Sequence, residues 1–545
     1  MGTYLNPGAA AFVEALNSEI FVDKTPMIQQ LNAAVKTKQK YVSVSRPRRF
    51  GKTMAADMIC AYYGRGADSR VLFQGSKLSA FENWDRYYGY FDVIRVVMTD
   101  FCQRNRTVSA SLEVLKRRIL NELHRVYPEV QYEEEDLAYS LDQFYQSSKV
   151  QFVIVIDEWD AVFREYPEDR EGQTTYLNFL RDILKDKEYV ALAYITGILP
   201  IKKYGKHSAL NMFDEYSMIY PMQLARFAGF TEDEVAVLCK KYGRDFDSLK
   251  EWYDGYRVSD VVPADPDHRT LKETGKSPEP QPISLYSPLS VVKAIQTGII
   301  CNYWNNTETY EALERYISMN FDGLKESTAM LMNGGKCRID ISTYQNDMTT
   351  FHSKDDILTM LIHLGYLGFD ASTQEVFIPN KEVLDVFRAS TRKDSWQPVF
   401  RLLADSQRLL EATWAEDAQT VASILEETHL LSGADGYHSE EGLRYAIQLA
   451  YYSAENYYMR FRELETGKGY ADLVYIPRPE YANKPALLIE LKYGKPATTA
   501  IEQIHEREYP KGLEAYKGNL LLIGISYRRD RKPENKRHTC IIEHA

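Results

Sequence analysis

Residues 41–63, YVSVSRPRRFGKTMAADMICAYY, run from a short apolar strand through a loop ending Gly51-Lys52-Thr53 into a helix. That setting lets a loop cradle phosphate, because the first backbone N–H groups of a helix have no partner inside it and the helix dipole favours negative charge there. In such a loop, spanning Arg46, Pro47, Arg48, Arg49, Phe50, Gly51, Lys52 and Thr53, the lysine neutralises terminal phosphates and the threonine hydroxyl ligates magnesium. The general pattern G-x-x-x-x-G-K-[ST] is broken at its first position by Arg46. The alternative is a loop of solvated arginines that happens to end in GKT.

Residues 152–160, FVIVIDEWD, weigh against that alternative. An apolar strand that ends in two carboxylates is the arrangement in which an Asp supports the nucleotide's metal, here Asp157, and a Glu polarises the attacking water, here Glu158. Further apolar runs, FDVIRVVM (91–98) and YVALAYITG (189–197), alternate with helical patterns. This predicts a largely parallel sheet covered by helices. Together these features predict a P-loop α/β ATPase domain of the additional-strand, AAA-like kind over residues 1–230, binding ATP and Mg2+.

Residues 231–410 read as a helical subdomain. FAGFTEDEVAVLCKKYG offers Thr231 as an N-cap with acidic residues in the first turn. Residues 259–282, rich in proline and charge and without apolar periodicity, read as an insertion loop. DDILTMLIHLGYLGFDASTQEVFIPNKEVLDVF (355–387) reads as helix, turn, hairpin and helix, a winged-helix-like unit. With no basic recognition helix, structural packing is favoured over DNA binding there.

Residues 411–545 give helices, then YYMRFRELETG, YADLVYIP and ALLIELKYG as strands, a helix from about Thr499, and LLLIGISY as a last strand. Side chains alternate along a strand, so Glu490 and Lys492 share one face and Leu491 takes the other. If the preceding hairpin pairs, Asp472 approaches them, giving two oxygen ligands for Mg2+, or Mn2+ in its place, and a lysine to orient or deprotonate water. The bare D…ExK string is weak, because charged residues commonly end an amphipathic strand.

The motifs IFVDKTPMI, RPRRFGKT, LFQGSKLS, VIDEWDAVF, TGILPI, FAGFTEDEV and WYDGY, in that order, resemble the AAA-ATPase-like family whose members often carry a PD-(D/E)xK domain. The resemblance covers about the first 260 residues and resumes at LYSPLS and at GYLGF…FIPNKEV. It implies that Arg in place of the first glycine is tolerated, and that Thr196 is the polar sensor beside the terminal phosphate; the other reading of Thr196 is a strand-end cap. Arg164 and Arg181 lie in plausible segments, but neither is assigned as an arginine finger.

Towards the C-terminus, LETGKGYADLV and AIEQIHEREY resemble the PD-(D/E)xK phosphodiesterases. This implies a catalytic set of Asp472, Glu490, Lys492 and Gln503, with Asp472 and Glu490 as metal ligands and Glu441 as the acidic residue of the first helix. Glu440 is nearly as good a candidate as Glu441, and Tyr509 matches a family position that packing alone would explain.

A formal net charge of -11 excludes a protein coated in positive charge, so any contact with nucleic acid must be local. The run SYRRDRKPENKRH (526–538) is the local candidate, with a solvated loop as the alternative. Six scattered cysteines without a CxxC pair suggest neither a disulfide framework nor a zinc site. No basic-then-apolar leader and no apolar stretch of about 18 residues is visible, so a cytoplasmic protein without a membrane anchor is expected.

The expectation is an ATP-binding, ATP-hydrolysing protein with a metal-dependent nuclease domain acting on DNA or RNA. A homo-oligomer stays open. The alternative is a nucleotide-dependent switch whose C-terminal domain binds nucleic acid or protein without cutting.

Overall fold

The apolar runs of the first half become five strands: β1 (Tyr41–Ser45), β2 (Asp92–Val97), β3 (Phe152–Asp157), β4 (Val190–Gly197) and β5 (Asp214–Tyr216). All are parallel, in the order β2-β3-β4-β1-β5. The runs are uninterrupted because both faces are covered. Ile154 and Ile156 pack with Ile94, Val96 and Ile195 on one face. Val153 and Val155 pack with Val42, Val44 and Ile59 on the other. β4 is therefore inserted between the P-loop strand β1 and the acid-tipped strand β3, which is the additional-strand arrangement expected from sequence. The register sets Asp157 beside Thr196 and Thr196 beside Val44.

This computed structural model describes all residues except 1, 67, 103–106, 202–209, 262–280, 305–309, 320, 322, 347, 392–396, 432–439, 467–468 and 529–536. The chain divides into two units, Met1–Tyr316 with Arg338–Ala389, and Ile317–Cys337 with Ser390–Ala545.

In the first unit, helix α1 (Lys52–Tyr63) follows β1, and Gly51 precedes it at φ 88°, a left-handed conformation that favours glycine. Beyond the sheet, α2 (Ala161–Glu165) follows β3, and α3 (Glu232–Tyr242) begins in a reciprocal cap. There Thr231 Oγ1 accepts from Glu234 N–H at 3.4 Å, and the Glu234 carboxylate accepts from Thr231 N–H at 2.9 Å. The strands β6 (Tyr256–Asp260) and β7 (Gln281–Tyr286) pair antiparallel. The expected insertion at 259–282 thus begins and ends inside a hairpin, with Ser259 opposite Pro282 and Asp260 opposite Gln281. Its middle, 262–280, lies outside the described residues.

Helix α4 (Pro288–Thr297) follows, and α5 (Lys354–Leu364), β8 (Gly368–Asp370), β9 (Glu375–Phe377) and α6 (Lys381–Ser390) form the helix, hairpin and helix read from the sequence. The LYSPLS and FIPNKEV segments meet at a buried carboxylate. Glu382 accepts from Ser290 Oγ at 2.8 and 3.0 Å, from Tyr303 N–H at 2.7 Å and from Trp304 N–H at 3.0 Å. Burial outweighs these donors and pushes its pKa up to about 7.

The second unit contains α7 (Gln397–Trp414), α8 (Ala418–Leu431) and α9 (Glu440–Ala450) ahead of a mixed sheet. Its strands are β10 (Tyr458–Thr466), β11 (Gly469–Pro477), β12 (Ala486–Tyr493), β13 (Leu520–Arg528) and β14 (Arg537–His544), in chain order across the sheet. Helix α10 (Ala497–Glu506) joins β12 to β13, which makes that pair parallel and the remaining pairs antiparallel. The sequence reading stopped at β13; β14 is an additional edge strand. Most of the basic run before it, 529–536, lies outside the described residues. All six cysteines are free thiols. No helix among the described residues is long and apolar enough to cross a membrane.

The Glu382 cluster sets a test by thermal and denaturant unfolding of the full chain. Glu382→Ala leaves two buried N–H groups unpaired and should cost roughly 2–4 kcal/mol. The carboxyl titrates near 4.5 unfolded and about 7 folded, so the native state holds the extra proton between those values. Its contribution is complete below pH 4.5 and is lost as pH rises through 7. Glu382→Gln should flatten that fall, and an unchanged slope would refute the assignment.

Candidate nucleotide and metal sites

The first site forms where β1, β3 and β4 end. Lys52 is buried at the N-terminus of α1, and its Nζ donates to the carbonyl oxygens of Arg46 at 3.0 Å and Pro47 at 2.8 Å. Burial pulls its pKa down, opposed by the charges of Glu158, Asp160 and Asp157. Its amine thus rests on the loop's own carbonyls, weak partners for an ammonium that phosphate would satisfy better.

Asp157 is 1% exposed. Its Oδ1 accepts from Glu158 N–H at 3.0 Å, the nearby Thr53 side chain favours the charged form, and Oδ2 is buried without a partner. Burial raises its pKa. A lone oxygen beside an exposed threonine hydroxyl is the donor chemistry a hard divalent cation takes, so Thr53 and Asp157 fit the expected magnesium.

The remaining loop residues divide by direction. Arg48 and Arg49 are exposed. Arg46 is fully buried, and its Nη1 donates to the carbonyls of Ser45 and of Tyr216 on β5, both at 2.8 Å, while its backbone N–H donates to Gly197 O at 3.0 Å. Burial lowers its pKa to about 10. Its side chain therefore ties β1 to β5 from beneath the loop. Phe50 is buried edge-on against Tyr256, ring centroids 5.4 Å apart, and a Cβ built on Gly365 would lie 2.8 Å from Pro47. The loop is held by packing where a glycine-rich loop would be held by turn geometry.

Glu158 follows β3 in a left-handed conformation, φ 54°. Its carboxylate pairs with the Arg164 guanidinium, which also lies 3.4 Å from Asp160. Asp160 Oδ2 accepts from Ile198 N–H at 3.1 Å and Leu199 N–H at 3.0 Å. Thr196 is buried and donates to Val44 O at 3.0 Å. Asp160 is a functional candidate that sequence reasoning passed over; the signal was a third acid in DEWD, one helical turn before Arg164. Arg164 is held by these two carboxylates, while Arg181 is an exposed partner of its neighbour Asp182 at 3.1 Å.

The second site forms at β11, β12 and α10. Asp472, Glu490 and Lys492 are 8%, 2% and 8% exposed. Lys492 Nζ lies 3.0 Å from Glu490 Oε1, as their shared strand face requires. Asp472 Oδ2 accepts from Leu491 N–H at 2.9 Å, so the first carboxylate is pinned to the strand that carries the other two residues. Gln503 Nε2 donates to Glu490 Oε1 and to the Tyr509 hydroxyl at 3.2 Å. Gly524, opposite Glu490 on β13, permits this: a Cβ there would lie 2.8 Å from Ala497 O and hold α10 away. Arg444 on α9 donates to Asp472 Oδ1 at 2.7 Å, a partner the sequence reading did not name.

Burial, and then the charge of Asp472, raises Glu490 to about 7, and its Oε2 is buried without a partner. Two carboxylates that repel one another with one oxygen unsatisfied fit a divalent cation, which would relieve both costs. Among the described residues no group of three or more His, Cys, Asp or Glu side chains converges on such a point. The side chains of Glu441 and Glu440 lie outside the described residues, although their backbone opens α9.

A parallel sheet with a GKT loop after β1 and an acid pair after β3, followed by a mixed sheet carrying D…ExK, defines a P-loop ATPase-type domain joined to a nuclease-type domain. Residues 8–205 match the family described as "Predicted AAA-ATPase", and residues 440–535 match the "PD-(D/E)XK nuclease superfamily"; the chain carries one domain of each kind. The "Uncharacterized protein in vnfD 5'region" of Azotobacter chroococcum mcd 1 is 25% identical over 247 residues. That match takes in 43% of this chain and 45% of the relative, so it spans about half the length of each. Among solved structures, Cdc6p from Pyrobaculum aerophilum aligns at 10% identity over 70% of this chain and 97% of that one, TM-score 0.27. ORC2 from Aeropyrum pernix aligns at 11% identity over 68% and 96%, TM-score 0.29.

Lys52→Ala should weaken binding of a fluorescent ATP analogue about a hundredfold, the loss expected when a buried cation is taken from a phosphate. Unaltered affinity would remove the loop from the nucleotide site. At the second site, Mn2+ must take an ionised Glu490, so its affinity should fall about tenfold per unit below pH 7 and level off above it. Calorimetric titration between pH 6 and 8 measures this.

Proposed function

We propose that this protein is an ATP-regulated, metal-dependent nuclease, in which ATP bound at Lys52, Thr53 and Asp157 controls cleavage of a DNA or RNA strand at Asp472, Glu490 and Lys492. The observation that carries the reading is the buried triad itself. One ammonium and two carboxylates, one with an orphaned oxygen, are costly to hold at these exposures without a function that uses them.

At the first site Lys52 neutralises the terminal phosphates, Thr53 and Asp157 hold magnesium, Thr196 senses the terminal phosphate, and Glu158 orients the attacking water. At the second, Asp472 and Glu490 hold a divalent cation; Glu441 on the same domain's first helix would add a third carboxylate. When bound, that cation supplies polarisation of the scissile phosphate and a water of lowered pKa. Lys492 positions the water as the ammonium and, as the neutral amine, would accept its proton at Nζ. Gln503, braced by the Tyr509 hydroxyl, keeps Glu490 turned toward the site.

Covalent connection supports regulation of one site by the other. The chain passes between the two units near residues 316, 337 and 389, so a change of state in the first unit acts on three points of attachment. In this reading the protein works on nucleic acid in a reducing compartment, which suits its six free thiols.

The test is cleavage of single- and double-stranded DNA and RNA with Mg2+ or Mn2+, with and without ATP. Lys492→Ala should lower the rate at least about a hundredfold, the usual contribution of a positioned proton-transfer group, with strand binding retained. ATP should change the wild-type rate and leave the Lys52→Ala rate unchanged. ATP binding with no cleavage of any strand would instead establish the switch reading.

A further inference from the structure

The triad of Asp472, Glu490 and Lys492 accounts for most of the second site, but not for a second cation that reaches it from a helix. Arg444 belongs to α9, one turn beyond Glu441, and its Nη2 lies 2.7 Å from Asp472 Oδ1. The other oxygen of Asp472 accepts the Leu491 N–H, so without metal both oxygens are engaged, one by a neutral donor and one by a charged donor. The Leu491 contact is compatible with metal ligation, since it fixes the carboxylate to β12. The Arg444 contact is not, because a guanidinium and a divalent cation compete for the same oxygen and repel one another.

Arg444 differs in this from Lys492. The ammonium bonds to Glu490 along the strand they share, whereas the guanidinium reaches Asp472 from a separate helix on a long side chain that is 25% exposed. Exposure leaves it a route outward, and its planar fork suits a phosphate as well as a carboxylate.

We propose that Arg444 is a further binding residue of the C-terminal site: it neutralises Asp472 while no metal is held, and when a divalent cation takes that carboxylate it turns its guanidinium to a phosphate of the bound nucleic-acid strand. The strand contact rests on the nuclease reading above; the competition with metal does not. Arg444 thereby makes metal binding and strand binding support one another. Metal frees the guanidinium, and a strand phosphate accepting it removes the competitor from Asp472.

Two measurements on the nucleotide-free full chain test the two parts. In calorimetric titration with Mn2+, with Glu490→Ala identifying the heat due to this site, Arg444→Gln should bind Mn2+ about tenfold more tightly than wild type, since a charged competitor has been removed. Arg444→Lys should fall between. Equal or weaker Mn2+ affinity in a normally melting Arg444→Gln protein would overturn the competition and leave Arg444 as a support for Asp472.

For the strand contact, binding of a fluorescent single strand is followed against salt concentration with Ca2+ present and with chelator. With Ca2+ the salt slope of Arg444→Gln should be smaller than wild type by about one ion, and with chelator the two slopes should coincide. Equal slopes in Ca2+ would overturn the strand contact. Failure of the wild type to cleave any strand would sink the nuclease reading while leaving the Mn2+ result to stand or fall alone.

Discussion

A desolvated carboxylate on a buried strand is the constraint on which both sites turn. β3 and β12 are apolar runs covered on both faces, and each delivers an acid, Asp157 or Glu490, into a region where an unpaired charge is expensive. Both residues are pushed toward the protonated form, and each keeps one oxygen without a partner. Glu382, which locks segments of the fold together, has both oxygens satisfied.

Around that constraint, buried polar side chains tie neighbouring segments of the first unit together. Asp160 is an instance. It is fully buried, yet it receives two backbone N–H groups from the loop after β4 and lies beside Arg164, so the residues after the sensor position are tied to the turn that carries Glu158. Arg46 performs a related task under the P-loop, joining β1 to β5 through two carbonyls. The loop thereby gains from a long buried side chain what a glycine-rich loop gains from its turn. Phe50 against Tyr256 and Pro47 against Gly365 complete a loop held by side-chain packing within the first unit.

How far the sequence disclosed this follows from the range of each interaction. The additional-strand sheet was legible because apolar runs, a GKT loop and an acid pair are local signals with strong periodicity. Glu490 and Lys492 on one face required nothing beyond the two-residue repeat of a strand. The Thr231 cap followed from a threonine ahead of acidic residues in the first turn, and the structure adds the reciprocal bond to Glu234. The direction of Arg46 was not legible, since it depends on β5 lying next to β1, a pairing of residues about 170 apart in sequence. β14 was missed for a different reason: RHTCIIEH mixes polar and apolar residues as an edge strand does, and it follows a basic run that reads as loop. Arg444 was hidden because an arginine on an amphipathic helix is ordinarily solvated, and only the approach of β11 gives it a carboxylate.

The same consideration explains why the two halves differ in how much chemistry their folds reveal. In the first unit the site is assembled at the ends of adjacent parallel strands, so register alone sets Asp157 beside Thr196 and Thr196 beside the P-loop strand. Chemistry and topology there have one cause. In the second unit the triad comes from two neighbouring strands, but its supports, Gln503, Tyr509 and Arg444, come from three helical segments. A strand fixes side-chain direction every two residues, whereas a helix fixes it only once its packing is known. The strand-borne acids could thus be identified from sequence, and the helix-borne groups that orient and neutralise them emerge from the assembled fold.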